Sequence, residues 1–118
     1  MCFYPTYTTK HFIEEITSQS KIKNTIRVGN TDTKRDYVYI EDAIEAVLRA
    51  LLNKHAYKKI INIGSGRSVS GKKIIKILKH LLSKKITISP DQSRLRKTDR
   101  PILQADIAKA MSILKWQP

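Results

Sequence analysis

Apolar positions recur along this chain in a few short, distinct patterns, and those patterns lay out its elements. The clearest begins at Arg35. Tyr37, Val38, Tyr39 and Ile40 form a short extended run. Ala43 to Leu52 then switches to helical spacing, with Ile44, Val47, Leu48 and Leu51 on one stripe that needs something to bury it. Asp42 stands where an N-cap would, and Glu45 follows three residues later as in a capping box, which predicts a helix over about 43–53. Asn53-Lys-His55 gives it a polar, basic stop.

The other elements follow the same logic. Cys2-Phe-Tyr4 reads as the tail of a strand. Thr8 or Thr9 can cap a helix over roughly 10–19 that buries Phe12, Ile13 and Ile16. Thr25 to Val28 alternates and ends in a Gly29-Asn30 turn. Lys59 to Ile63 predicts an apolar strand that runs into Gly64-Ser65-Gly66. Ser70 caps a helix over about 71–83 with Ile74, Ile75, Leu78, Leu81 and Leu82 inward. Ile86 to Ile88 is a short strand, and a long polar loop from Asp91 to Pro101 follows. Ile102-Leu103 is extended, and Asp106 caps a last helix carrying Ile107, Ala110, Met111 and Leu114. Strands alternating with helices give an α/β fold, expected as one domain over residues 1–118.

Composition narrows the class. Hydrophobic residues make up 41% and charged residues 28%, a globular balance without the signature of disorder. No apolar run reaches the ~18 residues of a membrane span, and the first residues lack a signal-peptide layout, so no membrane role and a cytoplasmic location are expected. The single Cys2 can form no internal disulfide. The net charge of +13 is concentrated in residues 59–118, which hold 14 basic and 3 acidic side chains, and that favours anionic partners. Lys72, Lys73, Lys76 and Lys79 form a basic stripe on the predicted helix. No aromatic residue interleaves with them to stack bases, so a solvated helix face is the plainer reading. A small basic nucleic-acid-binding module is the alternative function, and it is the lesser one.

Two stretches carry candidate chemistry. Arg35 and Asp36 sit where a loop enters the extended run, and a guanidinium held there suits a diphosphate through paired, charge-assisted hydrogen bonds. Gly64-Ser-Gly66 lies between a strand and a helix, where glycine-rich loops often cradle phosphates. It lacks the third glycine of the dinucleotide fingerprint, because position 69 is Val, and it has no Walker Lys-Ser pair. It reads as a tight turn.

Taken together, Val28-Gly-Asn30 with Arg35-Asp36-Tyr37 and Asp42, then Asn62-Ile-Gly-Ser-Gly66, then Arg94-Leu-Arg96 with Asp99, Leu103, Asp106 and Trp116-Gln-Pro118, resemble an enzyme family. It is the extended short-chain dehydrogenase/reductase enzymes, the NAD-dependent nucleotide-sugar epimerases, dehydratases and reductases. The details are most similar to the GDP-4-keto-6-deoxy-D-mannose reductases and GDP-mannose 4,6-dehydratases. The resemblance implies a substrate-binding lobe with short strands and three to four helices, a face that packs on a Rossmann domain, and a nucleotide-diphosphate sugar, GDP-linked by preference, as ligand. It also implies roles for three residues: Arg35 on the diphosphate or ribose, Arg96 as a second phosphate clamp, and Asp99 accepting from a ribose hydroxyl. The sequence departs from the pattern at Lys97, where the family usually has Pro, and at Ala105, where it usually has Gly.

Such enzymes also carry a glycine-rich dinucleotide loop and a Tyr-x-x-x-Lys pair, and no Tyr in this chain has Lys four residues later. The expectation is therefore a fragment that begins beyond the catalytic half and has no catalytic or metal-binding residue of its own. It would bind no cofactor alone, NAD or NADP belonging to the complete enzyme. Its expected macromolecular partners are a complementary Rossmann chain or further copies of itself.

Overall fold

The computed structural model describes residues 11–95 and 98–118, which fold as two compact units. The predicted strand tail at Cys2–Tyr4, the caps at Thr8 and Thr9, and Arg96 and Lys97 lie outside the described residues.

One unit contains the described residues 11–33 and 70–101. Here β1 (Thr25–Val28) pairs in parallel with β4 (Thr87–Pro90), Ile26 opposite Ile88. The helices α1 (Phe12–Ile22) and α3 (Gly71–Leu82) belong to the same unit. Ile16, Ile26, Val28, Ile75 and Ile86 form its buried core, and Phe12, Ile74, Leu78 and Ile88 pack against them. The Gln19 side chain ties α1 to β1, donating to the Arg27 carbonyl at 3.0 Å and accepting from the Arg27 amide at 2.7 Å. Ser70 caps α3 as expected, its hydroxyl accepting from the Lys73 amide at 3.3 Å. Ile13, expected inside, is exposed, and so are Leu81 and Leu82. The last turn of α3 runs past the small core and ends at Ser83 in the left-handed conformation.

The other unit contains Lys34–Val69 and Ile102–Pro118. Its three-stranded sheet has β2 (Lys34–Asp36) between β3 (Ser68–Ser70), where the chain leaves the unit, and β5 (Ile102–Leu103). β2 and β5 are parallel, with Arg35 opposite Leu103. Two helices complete it, α2 (Ile40–Leu51) and α4 (Ala108–Leu114). Ala46, Ala110, Leu114 and Trp116 are buried together, and Val38, Ala50, Ala56, Ile61, Ile63, Ile107 and Ile113 pack around them. Alanines at 46 and 110 let the two helices approach closely. The ends are tied by Arg49, which donates to the carbonyls of Leu114 and Lys115, and by Asn53, whose amide donates to Ile113 O at 2.7 Å. Asp106, expected to cap α4, lies one residue ahead of the N-cap Ile107, and its carboxylate accepts from the Ala108 amide at 3.0 Å.

Three further expectations fail in this unit. α2 starts at Ile40, three residues before the predicted start, from the extended Tyr39, with no side-chain cap. Asp42 therefore lies in the first turn, where its charge still favours the helix dipole. The stripe of Ile44, Val47, Leu48 and Leu51 does not face the core. Those residues are 50%, 42%, 54% and 67% exposed, while Ala43 and Ala46 are buried. The alanine stripe lies about a third of a turn round the helix from the large residues, and only the small side chains fit against α4. Lys59–Ile63 is not a strand, because no ladder partner for it exists among the described residues.

Candidate functional site

The unit of Lys34–Val69 and Ile102–Pro118 gathers its polar residues at the C-terminal end of β2. Strand pairing on both sides fixes the backbone of Lys34–Asp36, and Asp36 is the last residue of that strand. Its carboxylate accepts four hydrogen bonds: from the Ser65 amide at 2.7 Å, the Ser65 hydroxyl at 2.6 Å, the Gly66 amide at 3.0 Å and the Ala105 amide at 3.1 Å. Burial opposes the charged form, yet the hydrogen bonds from Ser65, Ala105 and Gly66 outweigh it and hold the carboxyl below its ordinary value of 3.8.

That carboxylate explains the small residues around it. A Cβ on Gly64 would lie 2.5 Å from the Ala105 Cβ and 2.8 Å from an Asp36 oxygen, so no side chain fits there. Gly66 has φ +70°, which glycine adopts freely. The turn is held from its far side as well, since Gln104 donates to Gly66 O at 2.7 Å and the Arg67 amide donates to the Ser65 hydroxyl at 3.2 Å. Gly64–Gly66 is thus the expected tight turn. Its Ser65 and Gly66 amides already donate to a carboxylate and are not aimed at a ligand.

What remains for an anion at this end of the unit is guanidinium. Arg35 is half-buried and donates to its neighbour's carbonyl, Lys34 O, at 2.8 Å. Its charge is felt at Tyr37, where burial pushes the phenol pKa up and Arg35 pulls it back. Arg67 follows the locked turn and borders an open groove of about 680 Å³, together with Ser65, Gln104, Asp106 and Met111. Arg35 precedes the pinned Asp36 and Arg67 follows the locked turn, and a guanidinium is a group suited to binding phosphate. No group of three or more His, Cys, Asp or Glu able to hold a metal occurs among the described residues.

Of the three residues singled out from sequence, Arg35 lies in this unit and Asp99, half-buried, lies in the other. Arg96 lies outside the described residues. In the unit that holds Asp99, Arg94 is taken up by Glu15 at 2.8 Å and Asp91 at 3.1 Å. In the lysine row, Lys72 pairs with Asp32, and Lys84 donates to Ser20 O at 3.3 Å. Sequence reasoning gave Asp36 no role of its own. No local signal marks it, since its donors come from residues 29 to 69 positions away.

These features define a small α/β chain of two units, with short parallel strands and four helices among the described residues. The family description GDP-mannose 4,6 dehydratase matches residues 4–118, and the chain belongs to that family of NAD-dependent sugar epimerases, dehydratases and reductases. It is 36% identical over 102 residues to the dTDP-4-dehydro-6-deoxyglucose reductase of Escherichia coli, covering 84% of this chain and 31% of that enzyme. The UDP-glucuronic acid 4-epimerase of Bacillus cereus, solved with UDP-glucuronic acid and NAD, superposes with a TM-score of 0.83 at 25% identity. That match covers 92% of this chain and 35% of the epimerase. RMD from Pseudomonas aeruginosa, solved with NADPH, superposes with a TM-score of 0.75 at 21% identity, covering 91% of this chain and 35% of RMD. The chain thus spans about a third of the length of the relatives it matches. Among the described residues no helix is long and apolar enough to cross a membrane.

Proposed function

We propose that this chain is the nucleotide-diphosphate-sugar-binding part of an NAD(P)-dependent reductase, dehydratase or epimerase, inactive without the remainder of such an enzyme. The observation that carries the reading is Arg35, fixed at the end of a central strand beside a turn that Asp36 locks in place. A guanidinium on pinned backbone loses little freedom when it meets phosphate, and its planar fork matches two phosphate oxygens. Arg35 grips the diphosphate, Arg96 adds a second positive charge to it, and Asp99 accepts from a ribose hydroxyl. A GDP-sugar is the preferred ligand. The cofactor, NAD or NADP, belongs to the remainder and supplies hydride chemistry there. This chain contributes binding and orientation.

The test is calorimetric titration of the full chain, wild type and Arg35→Ala, with GDP-mannose, GDP, UDP-glucose and dTDP. Saturable binding to one nucleotide class is expected, weakened at least tenfold in the variant, since a charge-assisted hydrogen bond contributes about 1.5–3 kcal/mol. No binding to any of them, or binding that Arg35→Ala leaves unchanged, would overturn the proposal.

A further inference from the structure

The turns that follow α1 and α3 lie side by side. Thr25 and Thr87, which open β1 and β4, stand opposite each other, and the Thr87 amide donates to Asn24 O at 2.8 Å. Lys84 reaches back to Ser20 O at 3.3 Å. One end of this unit is therefore built from the C-termini of both helices and the starts of both strands. It carries Lys21, Lys23, Lys84 and Lys85, all exposed, and two aliphatic side chains standing in water, Ile22 at 80% and Leu81 at 73% exposed. Neither 16–25 nor 77–90 contains an acid. Acidic side chains gather at the other end of these elements instead. Glu14 and Glu15 are in the first turn of α1, Asp32 lies beyond the end of β1, and Asp91 lies beyond the end of β4. There they meet cations: Asp32 pairs with Lys72, and Glu15 and Asp91 hold Arg94. None of the ion pairs among the described residues involves Lys21, Lys23 or Lys85.

We propose that this end of the unit rests on an anionic lipid surface, its four lysines against the headgroups and Ile22 and Leu81 dipping into the headgroup boundary. Cations at helix C-termini complement the helix dipoles, which accounts for part of the charge. The dipoles do not account for two large aliphatic side chains held out among the lysines. Lysines alone would suit any polyanion, but a nucleic-acid backbone offers aliphatic side chains nothing to enter, and no aromatic residue stands here to stack on a base. A lipid surface takes both parts at once, charge at the headgroups and aliphatic tips at the acyl boundary. At 80% and 73% exposed, Ile22 and Leu81 project instead of lining a groove, and a fluid surface accepts projecting side chains without a matching pocket. Such a contact is peripheral and reversible and needs no membrane span.

The test is flotation of the full chain with vesicles of phosphatidylcholine, with and without about 30% phosphatidylserine, at physiological ionic strength. Binding is expected to the mixed vesicles and not to phosphatidylcholine alone. Each lysine held at an anionic surface contributes about fivefold, so Lys23→Glu/Lys85→Glu should weaken binding about twentyfold or more. The control is Lys54→Glu/Lys59→Glu, which makes the same change in net charge at exposed positions of the other unit. It should weaken binding by about twofold or less, since charges beyond a Debye length are screened. Leu81→Ser should weaken vesicle binding roughly threefold or more, because it removes the aliphatic tip. All these positions are exposed, so Tm should stay within about 2 °C of wild type. Failure to bind the mixed vesicles, equal binding to both vesicle types, or equal losses in the two charge variants would overturn the proposal. So would tighter binding to a DNA duplex that Lys23→Glu/Lys85→Glu abolishes and Leu81→Ser leaves unchanged, which would make this a nucleic-acid surface. Arg35→Ala should leave vesicle binding unchanged, so loss of nucleotide binding and loss of this contact are told apart.

Discussion

Replacing Asp36 by Ala removes one acceptor and strands three donors at once, the Ser65, Gly66 and Ala105 amides, while the Ser65 hydroxyl keeps the Arg67 carbonyl at 3.0 Å. A hydrogen bond to a charged group contributes about 1.5–3 kcal/mol, and a buried donor left without a partner loses a similar amount. The site is only half-buried, so water recovers part of that, and a loss of about 2–4 kcal/mol is expected. That is a large share of the ~5–15 kcal/mol that stabilises a typical domain, and it corresponds to a fall in Tm of roughly 10 °C. The assay is built into the chain. Trp116 is the sole tryptophan and is 1% exposed within the same unit, so its emission follows unfolding of that unit. The pH dependence has a definite sign. The folded carboxyl titrates below 3.8, so its contribution is complete at neutrality and disappears as pH falls through the folded value. Asp36→Asn carries no such charge. The stability difference between wild type and Asp36→Asn should be flat from pH 8 to 5 and shrink below about pH 4. A drop in Tm under 2 °C for Asp36→Ala, or a difference that grows on acidification, would refute the role given to this carboxylate.

Other substitutions probe the same packing. Gly66→Ala puts a Cβ at φ +70° and 3.1 Å from Ile107 Cδ1, and should cost about 1–2 kcal/mol in denaturant titrations followed by Trp116. Gly64→Ala should cost more, because its Cβ meets Ala105 at 2.5 Å and displaces the Asp36 carboxylate. Arg49→Ala removes the donors to the Leu114 and Lys115 carbonyls, and a loss of about 1–2 kcal/mol is expected by the same assay, with Arg49→Lys recovering only part. Ser70→Ala deletes the α3 cap at a cost of about 1 kcal/mol, read by far-ultraviolet circular dichroism, since Trp116 reports on the other unit.

Local signals were legible in the sequence wherever a local rule decides the structure. β1 is the run predicted at Thr25–Val28, and α3 begins where Ser70 said it would, because alternation and capping act over three or four residues. α2 was visible as a helix, but its inward side was not. Its apolar arc is wide enough to include both the alanines and the large aliphatics, and periodicity alone cannot say which edge a tight helix contact will choose. Lys59–Ile63 has strand composition, yet a strand is defined by a partner, and composition names none. Asp36 was hidden for a different reason. Its donors come from residues 29 and 69 positions away, and no window along the chain brings them into view.

Binding of a nucleotide diphosphate at the end of β2 through Arg35 can be read residue by residue from amide chemical shifts. The isotope-labelled chain is titrated with GDP, then with UDP and dTDP, at physiological ionic strength. Saturable shifts are expected for one nucleotide, concentrated at Lys34–Tyr37 and Ser65–Arg67 and absent in Arg35→Ala. Shifts confined to the lysine-bearing helix, Lys72 to Lys85, that fade as salt is raised would contradict it and leave a basic surface attracting any polyanion.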